Sequence, residues 1–123
     1  MPRRDISMSA GEIDAFLAAN REAVVAATHV DGGTLATVAG YEFGDGALTL
    51  RLRADDPVLA ALRVDNRACV TVEQFPSYSE IRAVVAHGHV TTGDVAADDS
   101  VEVALPLGAD TVSFDFAKQA FPT

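Results

Sequence analysis

The sequence predicts a mainly β domain whose antiparallel strands close into a barrel, with two short helices beside it. Three observations carry this. Several short stretches alternate apolar and polar residues or run apolar throughout. Glycine-containing turns join most of them. Helix start signals occur at only two places, residues 9–12 and 56–57. About six strands in one small domain favour closure, because a closed sheet leaves no unpaired edge. The 123 residues have room for one core and not two, so residues 1–123 are expected to form a single domain.

Ser9-Ala10-Gly11-Glu12 has the form of a capping box, and Ile13, Phe16 and Leu17 follow at helical spacing. A lead helix is expected over residues 10–20, with the barrel over residues 24–116. Residues 24–28 form a short apolar run suited to a buried strand. Asp31-Gly32-Gly33 is a hairpin signal, Thr34 to Phe43 the returning strand, and Gly44-Asp45-Gly46 a second turn. In residues 47–53, Leu48, Leu50 and Leu52 point one way and Thr49, Arg51 and Arg53 the other. Asp56-Pro57 opens a helix to Val64, with Val58, Leu59 and Leu62 as its apolar stripe. Residues 68–73 read as a strand and 75–78 as a loop. Residues 80–92 read as a long strand with Gly88 as the place for a bend. Residues 94–100 are polar and read as a loop, 101–107 alternate weakly, and 111–116 form a last strand.

The net charge of −9 argues against nucleic acid as a partner, since a phosphate backbone requires basic surface. No apolar run approaches the ~20 residues of a membrane span. No apolar run follows Arg3-Arg4, so a secretory signal is not expected and the cytoplasm is the default location. The single cysteine, Cys69, lies in an apolar strand and is expected as a small buried hydrophobe. No dinucleotide-binding glycine motif, phosphate loop, nucleophile elbow or zinc spacing occurs, so no catalytic side chain and no metal site is assigned. His87 and His89 share a strand face, but two ligands are too few for a closed metal site. Arg51 and Arg53, with Thr49, project from one strand face just before a helix start. That combination of arginine forks and free N–H groups suits an anion. A plain solvent-facing or subunit-facing strand edge, with Asp55 and Asp56 offsetting the charge, fits the same residues.

Several segments in order resemble the pyridoxamine 5′-phosphate oxidase-like family of flavin-binding split barrels. The similarity is greatest to the small actinobacterial members that bind FMN or the deazaflavin F420. The segments are the lead helix SAGEIDAFLAANREAVVAAT, the turns at Asp31-Gly32-Gly33 and Asp45-Gly46, the helix end LRVDNRA at 62–68, VVAHGHV at 84–90 and VSFDFAK at 112–118. The resemblance implies a six-stranded Greek-key barrel, a homodimer with the flavin between subunits, and hydride transfer to a small-molecule substrate. The cofactor then performs the redox chemistry and the protein positions it. The family's phosphate ligands include a Ser-Arg-Lys triplet opening the second helix. Here that triplet is Asp56-Pro57-Val58, a carboxylate and a valine where a hydroxyl and a lysine are expected. The residues leave three possibilities open. Arg51, Arg53 and Thr49 hold the phosphate from the strand side, with Tyr78 and Arg82 as further cofactor contacts. Alternatively the ligand is F420 or another molecule such as haem, with His87 or His89 as its axial nitrogen. Or the site is lost and the dimer is non-catalytic.

Overall fold

The computed structural model describes residues 4–77, 80–108 and 110–119. Two α-helices, α1 (Ala10–Ala19) and α2 (Pro57–Val64), accompany eight strands. These are β1 (Glu22–Thr28), β2 (Thr34–Gly44), β3 (Ala47–Arg53), β4 (Arg67–Gln74), β5 (Arg82–His89), β6 (Thr91–Val95), β7 (Ser100–Pro106) and β8 (Val112–Asp115), and a 3-10 turn, Phe116–Gln119, follows. All pairings are antiparallel, in the order β6-β7-β3-β2-β1-β4-β5-β8.

The mainly β class and the two helices are as the sequence predicts, but the described residues form eight strands rather than six. The difference lies in the C-terminal half. The expected long strand at 80–92 is two, β5 and β6, separated by Val90, whose N–H donates to the Asn66 carbonyl at 2.8 Å. β5 pairs with β4 and β6 pairs with β7, so one bent stretch of chain brings the two sides of the sheet together. The interruption falls at Val90 and not at Gly88, which sits inside β5. A side chain there would meet Leu105 Cδ1 at 3.3 Å, so glycine lets β7 cross closely. Residues 94 and 95, expected in a loop, belong to β6; that strand is mostly exposed and bulged between Thr92 and Val95, which explains its polar composition. The weak alternation at 101–107 marks the strand β7, with Val101, Val103 and Leu105 fully buried.

The local signals explain the other elements. Ser9 Oγ accepts from the Glu12 N–H and Glu12 Oε1 accepts from the Ser9 N–H, completing the capping box. The β2–β3 hairpin turns on Asp45 and Gly46, both at positive φ (53° and 72°), the two-residue geometry that matches strand twist. Leu48, Leu50 and Leu52 of β3 are buried together with Val25, Val70, Val72 and Val84. β1 is not buried on both faces as its apolar run suggests: Ala23, Val25 and Ala27 point inward, while Val24 is 37% exposed. Tyr41 reaches through the core edge to donate its hydroxyl to the Leu17 carbonyl at 2.8 Å, and burial pushes its pKa up to about 12. Among the described residues no helix is long and apolar enough to cross a membrane.

The C-terminal turn is tied back to α1 by Lys118 Nζ, which donates to Glu12 Oε1 at 2.7 Å and to the Ser7 carbonyl at 2.9 Å. That ammonium, followed by the Ser9 N–H, holds the Glu12 carboxyl at about 2, below its ordinary 4.5. A depressed carboxyl stabilises the fold above its unfolded pKa and loses that contribution as pH falls through the folded value. Glu12→Gln is therefore expected to flatten the fall in stability between about pH 4.5 and about pH 2. Urea midpoints measured across that range check this, and an unchanged slope would rule the linkage out.

Candidate functional site

The strand-side anion residues fall on separate parts of the surface. Thr49 and Arg51 point outward from β3 and line a hollow of about 210 Å³ that also contains Arg21, Glu42 and Glu102. Glu102 is the cross-strand partner of Arg51 and Glu42 that of Thr49, so carboxylates flank the cations. Arg53 turns away and binds Asp55 through Nε–Oδ1 (3.1 Å) and Nη2–Oδ2 (3.2 Å). Its hollow, about 340 Å³, is shared with Asp98 and Asp99. Arg82 stands elsewhere, donating from Nη2 to Gln74 Oε1 at 2.7 Å, with its guanidinium 5.6 Å from the centre of the Phe16 ring. That third hollow, about 220 Å³, shares no lining residue with the Thr49 and Arg51 hollow. Tyr78 lies outside the described residues.

The helix start does not form a phosphate cradle. Asp56 is the N-cap of α2, and its Oδ1 accepts from the Val58 N–H at 2.8 Å. One of the N–H groups that would meet an anion is therefore already engaged. Val58 is 2% exposed and belongs to the core. The ligands the resemblance implies for a flavin phosphate do not assemble at this corner.

A larger groove, about 530 Å³, lies on the β1–β4–β5 wall, and the anion reading of the sequence does not reach it. Ala26 and Thr28 of β1, Arg67 and Cys69 of β4, and His87 and His89 of β5 line it, with Asp110 from the loop before β8. Strand alternation explains the set: Ala68 and Val70 point inward, so Arg67 and Cys69 point outward. Cys69 is accordingly half-buried and opposite His87 rather than in the core. Both histidines are held through Nδ1, His87 by Asp110 Oδ2 at 3.2 Å and His89 by Asn66 Oδ1 at 2.7 Å. Holding one ring nitrogen orients the other, Nε2, which makes no protein hydrogen bond among the described residues. The sequence marks both histidines as one strand face, while Asp110 and Asn66 are distant in sequence and carry no motif. No group of three or more His, Cys, Asp or Glu residues able to hold a metal ion occurs among the described residues. Arg67, the groove's cation, forms a two-pronged pair with Asp65 (Nε–Oδ1 3.0 Å, Nη2–Oδ2 2.7 Å). The guanidinium holds the Asp65 carboxyl at about 2.

Beside the groove the same wall carries an apolar band. Val38, Val24, Thr71, Val85 and Val112 are consecutive cross-strand partners over β2, β1, β4, β5 and β8. Val38 and Val112 are 63% and 56% exposed. The next row outward, Ala36, Ala26, Cys69 and His87, joins the band to the groove.

No family model and no curated protein matches this sequence. Solved structures do match. A conserved hypothetical protein, Rv2991, from Mycobacterium tuberculosis has a TM-score of 0.82 at 23% identity, covering 100% of this chain and 94% of its own. A FAD-binding protein from Mesorhizobium loti has a TM-score of 0.75 at 16% identity, covering 89% of this chain and 96% of its own. A FAD and haem binding protein from Mycobacterium smegmatis has a TM-score of 0.77 at 17% identity, covering 97% of this chain and 76% of its own. The resemblance read from the sequence thus extends to the backbone, and the chain has the fold of the flavin-binding, pyridoxamine 5′-phosphate oxidase-like proteins.

Proposed function

We propose that this protein binds a flavin-class cofactor, with FMN and the deazaflavin F420 as the ligands the sequence resemblance implies. The cofactor would lie in the groove on the β1–β4–β5 wall of a homodimer. The observation that carries this reading is the groove itself, which at about 530 Å³ exceeds the three hollows above and adjoins an exposed apolar band on a fold shared with FAD-binding proteins. A bound flavin supplies hydride transfer to a small-molecule substrate. The protein's part is to offer Ala26 and the half-buried Cys69 as apolar contact and the exposed His87 and His89 as polar contact. No nucleophile is required of it, in keeping with the absence of catalytic motifs. The second copy, seated on the apolar band, would exclude water from the adjoining groove. Titration of riboflavin, FMN, FAD and F420 followed by fluorescence quenching tests the reading. Absence of binding at tens of micromolar, about 6–7 kcal/mol of affinity, removes it.

A second reading, a non-catalytic haem-binding dimer, is favoured by the two histidines whose Nδ1 atoms are held by Asp110 and Asn66. That arrangement would leave Nε2 to ligate a haem iron. On this reading, haem added to the protein gives a shifted Soret band that His87→Ala or His89→Ala abolishes. Soret bands unchanged in both variants would exclude histidine ligation.

A further inference from the structure

We propose that the groove selects a flavin without its phosphate, a neutral isoalloxazine of the riboflavin class, over FMN, FAD and F420. This rests on the flavin reading above and concerns only the ligand's tail. A phosphate held by protein requires cations or free N–H groups that are not already paired. The chain has nine Lys and Arg residues against eighteen Asp and Glu. Arg67, the cation in the groove, gives both prongs of its fork to Asp65, and Asp110 adds a carboxylate on the opposite strand side. Arg53 is held by Asp55, and Lys118 by Glu12. Arg21 and Arg51 share their hollow with Glu42 and Glu102. Arg82 shares its hollow with Glu12 and Asp115. The start of α2 is capped by the Asp56 carboxylate. Arg63, in the last turn of α2, does not line the groove.

A phosphate monoester entering the groove therefore meets carboxylates at short range, and the arginine that lines it, Arg67, is already paired. A ribityl chain ending in a hydroxyl carries no charge to repel, and Thr28, Thr34 and the two histidine rings offer it hydrogen-bonding groups. Breaking the Arg67–Asp65 pair to free a cation exposes a carboxylate in the same place, so the phosphate gains little by it.

Fluorescence-quenching titrations of riboflavin, FMN and FAD against the full chain test the proposal at about 20 mM and about 500 mM salt. At low salt riboflavin is expected to bind on the order of tenfold more tightly than FMN, and the gap is expected to narrow at high salt as repulsion is screened. FMN binding as tightly as riboflavin at low salt overturns the proposal while leaving the flavin reading intact. Binding of none of the three, and none of F420, overturns both. Asp65→Asn keeps the shape of the side chain and releases Arg67. Asp110→Asn removes the second carboxylate from a surface loop. Each is expected to shift the riboflavin-to-FMN preference several-fold toward FMN. An unchanged ratio in both folded variants overturns the electrostatic basis of the proposal.

Discussion

Placing the family's lysine in this chain by Val58→Lys is expected to destabilise the fold rather than to create a phosphate site. Val58 is 2% exposed and occupies the first turn of α2, packed into the same core as Leu59 and Leu62. An ammonium there is disfavoured twice, by loss of water and by the positive end of the helix dipole. Burial depresses a lysine pKa to ~5–6 in documented cases. With an unfolded value of ~10.4, the loss at pH 7 is about 4–5 kcal/mol. The sign can be checked independently. The folded pKa lies below the unfolded one, so the penalty is largest in acid and shrinks by ~1.4 kcal/mol per pH unit as pH rises from 7 toward 10. Urea unfolding of Val58→Lys at pH 7 and pH 9.5 measures both. A variant as stable as the parent, or one that gains FMN affinity, would mean that this position faces a ligand and not the core.

The same residue illustrates how much of the molecule was legible in the sequence. Val58, Leu59 and Leu62 read as the buried stripe of a helix capped by Asp56, and they are buried and capped in that way. The capping box at Ser9, the Asp45-Gly46 hairpin and the leucine face of β3 were equally local, each fixed by a few neighbouring residues. Strand count was not local. Whether residues 82–95 make one strand or two depends on which partners they meet, and those partners, β4 and β7, are far apart in the chain. The β6 segment is also mostly exposed, so burial left little apolar mark on its composition. The candidate site divides in the same way. Alternation placed Arg51 and Arg53 outward on β3, but not the opposing Glu102 or the bend that carries Arg53 to Asp55. His87 and His89 were recognisable as a pair on one strand face. Asp110 and Asn66 hold them through contacts that the β5–β8 and β4–β5 pairings create.

Val24→Arg is expected to convert the proposed homodimer to a monomer with its barrel intact. Val24 occupies the middle of the wall, with Val38 beside it on β2 and Thr71 on β4. Its side chain points away from the core, so the substitution leaves Val25 and Val70 packed as before. In a two-fold interface the same patch is used by both subunits, and each substitution is present twice. Two guanidinium groups would be brought into a contact whose band residues are valine and threonine, with the carboxylates of that face, Glu22 and Glu73, one row along the strands. Desolvation and like-charge repulsion then weaken association by at least ~100-fold, about 2.7 kcal/mol. Light scattering after size-exclusion chromatography reads the mass directly, and urea unfolding confirms that the monomer is folded. A dimeric Val24→Arg would place the subunit contact on another face, and a parent protein that is monomeric at ~100 μM, weaker than about 5.5 kcal/mol of association, would remove the dimer altogether. The row Ala26, Cys69 and His87 lies only two residues along the strands from the band. A flavin groove completed by the second copy must therefore lose affinity in the monomer, whereas a groove that is complete within one chain must keep it.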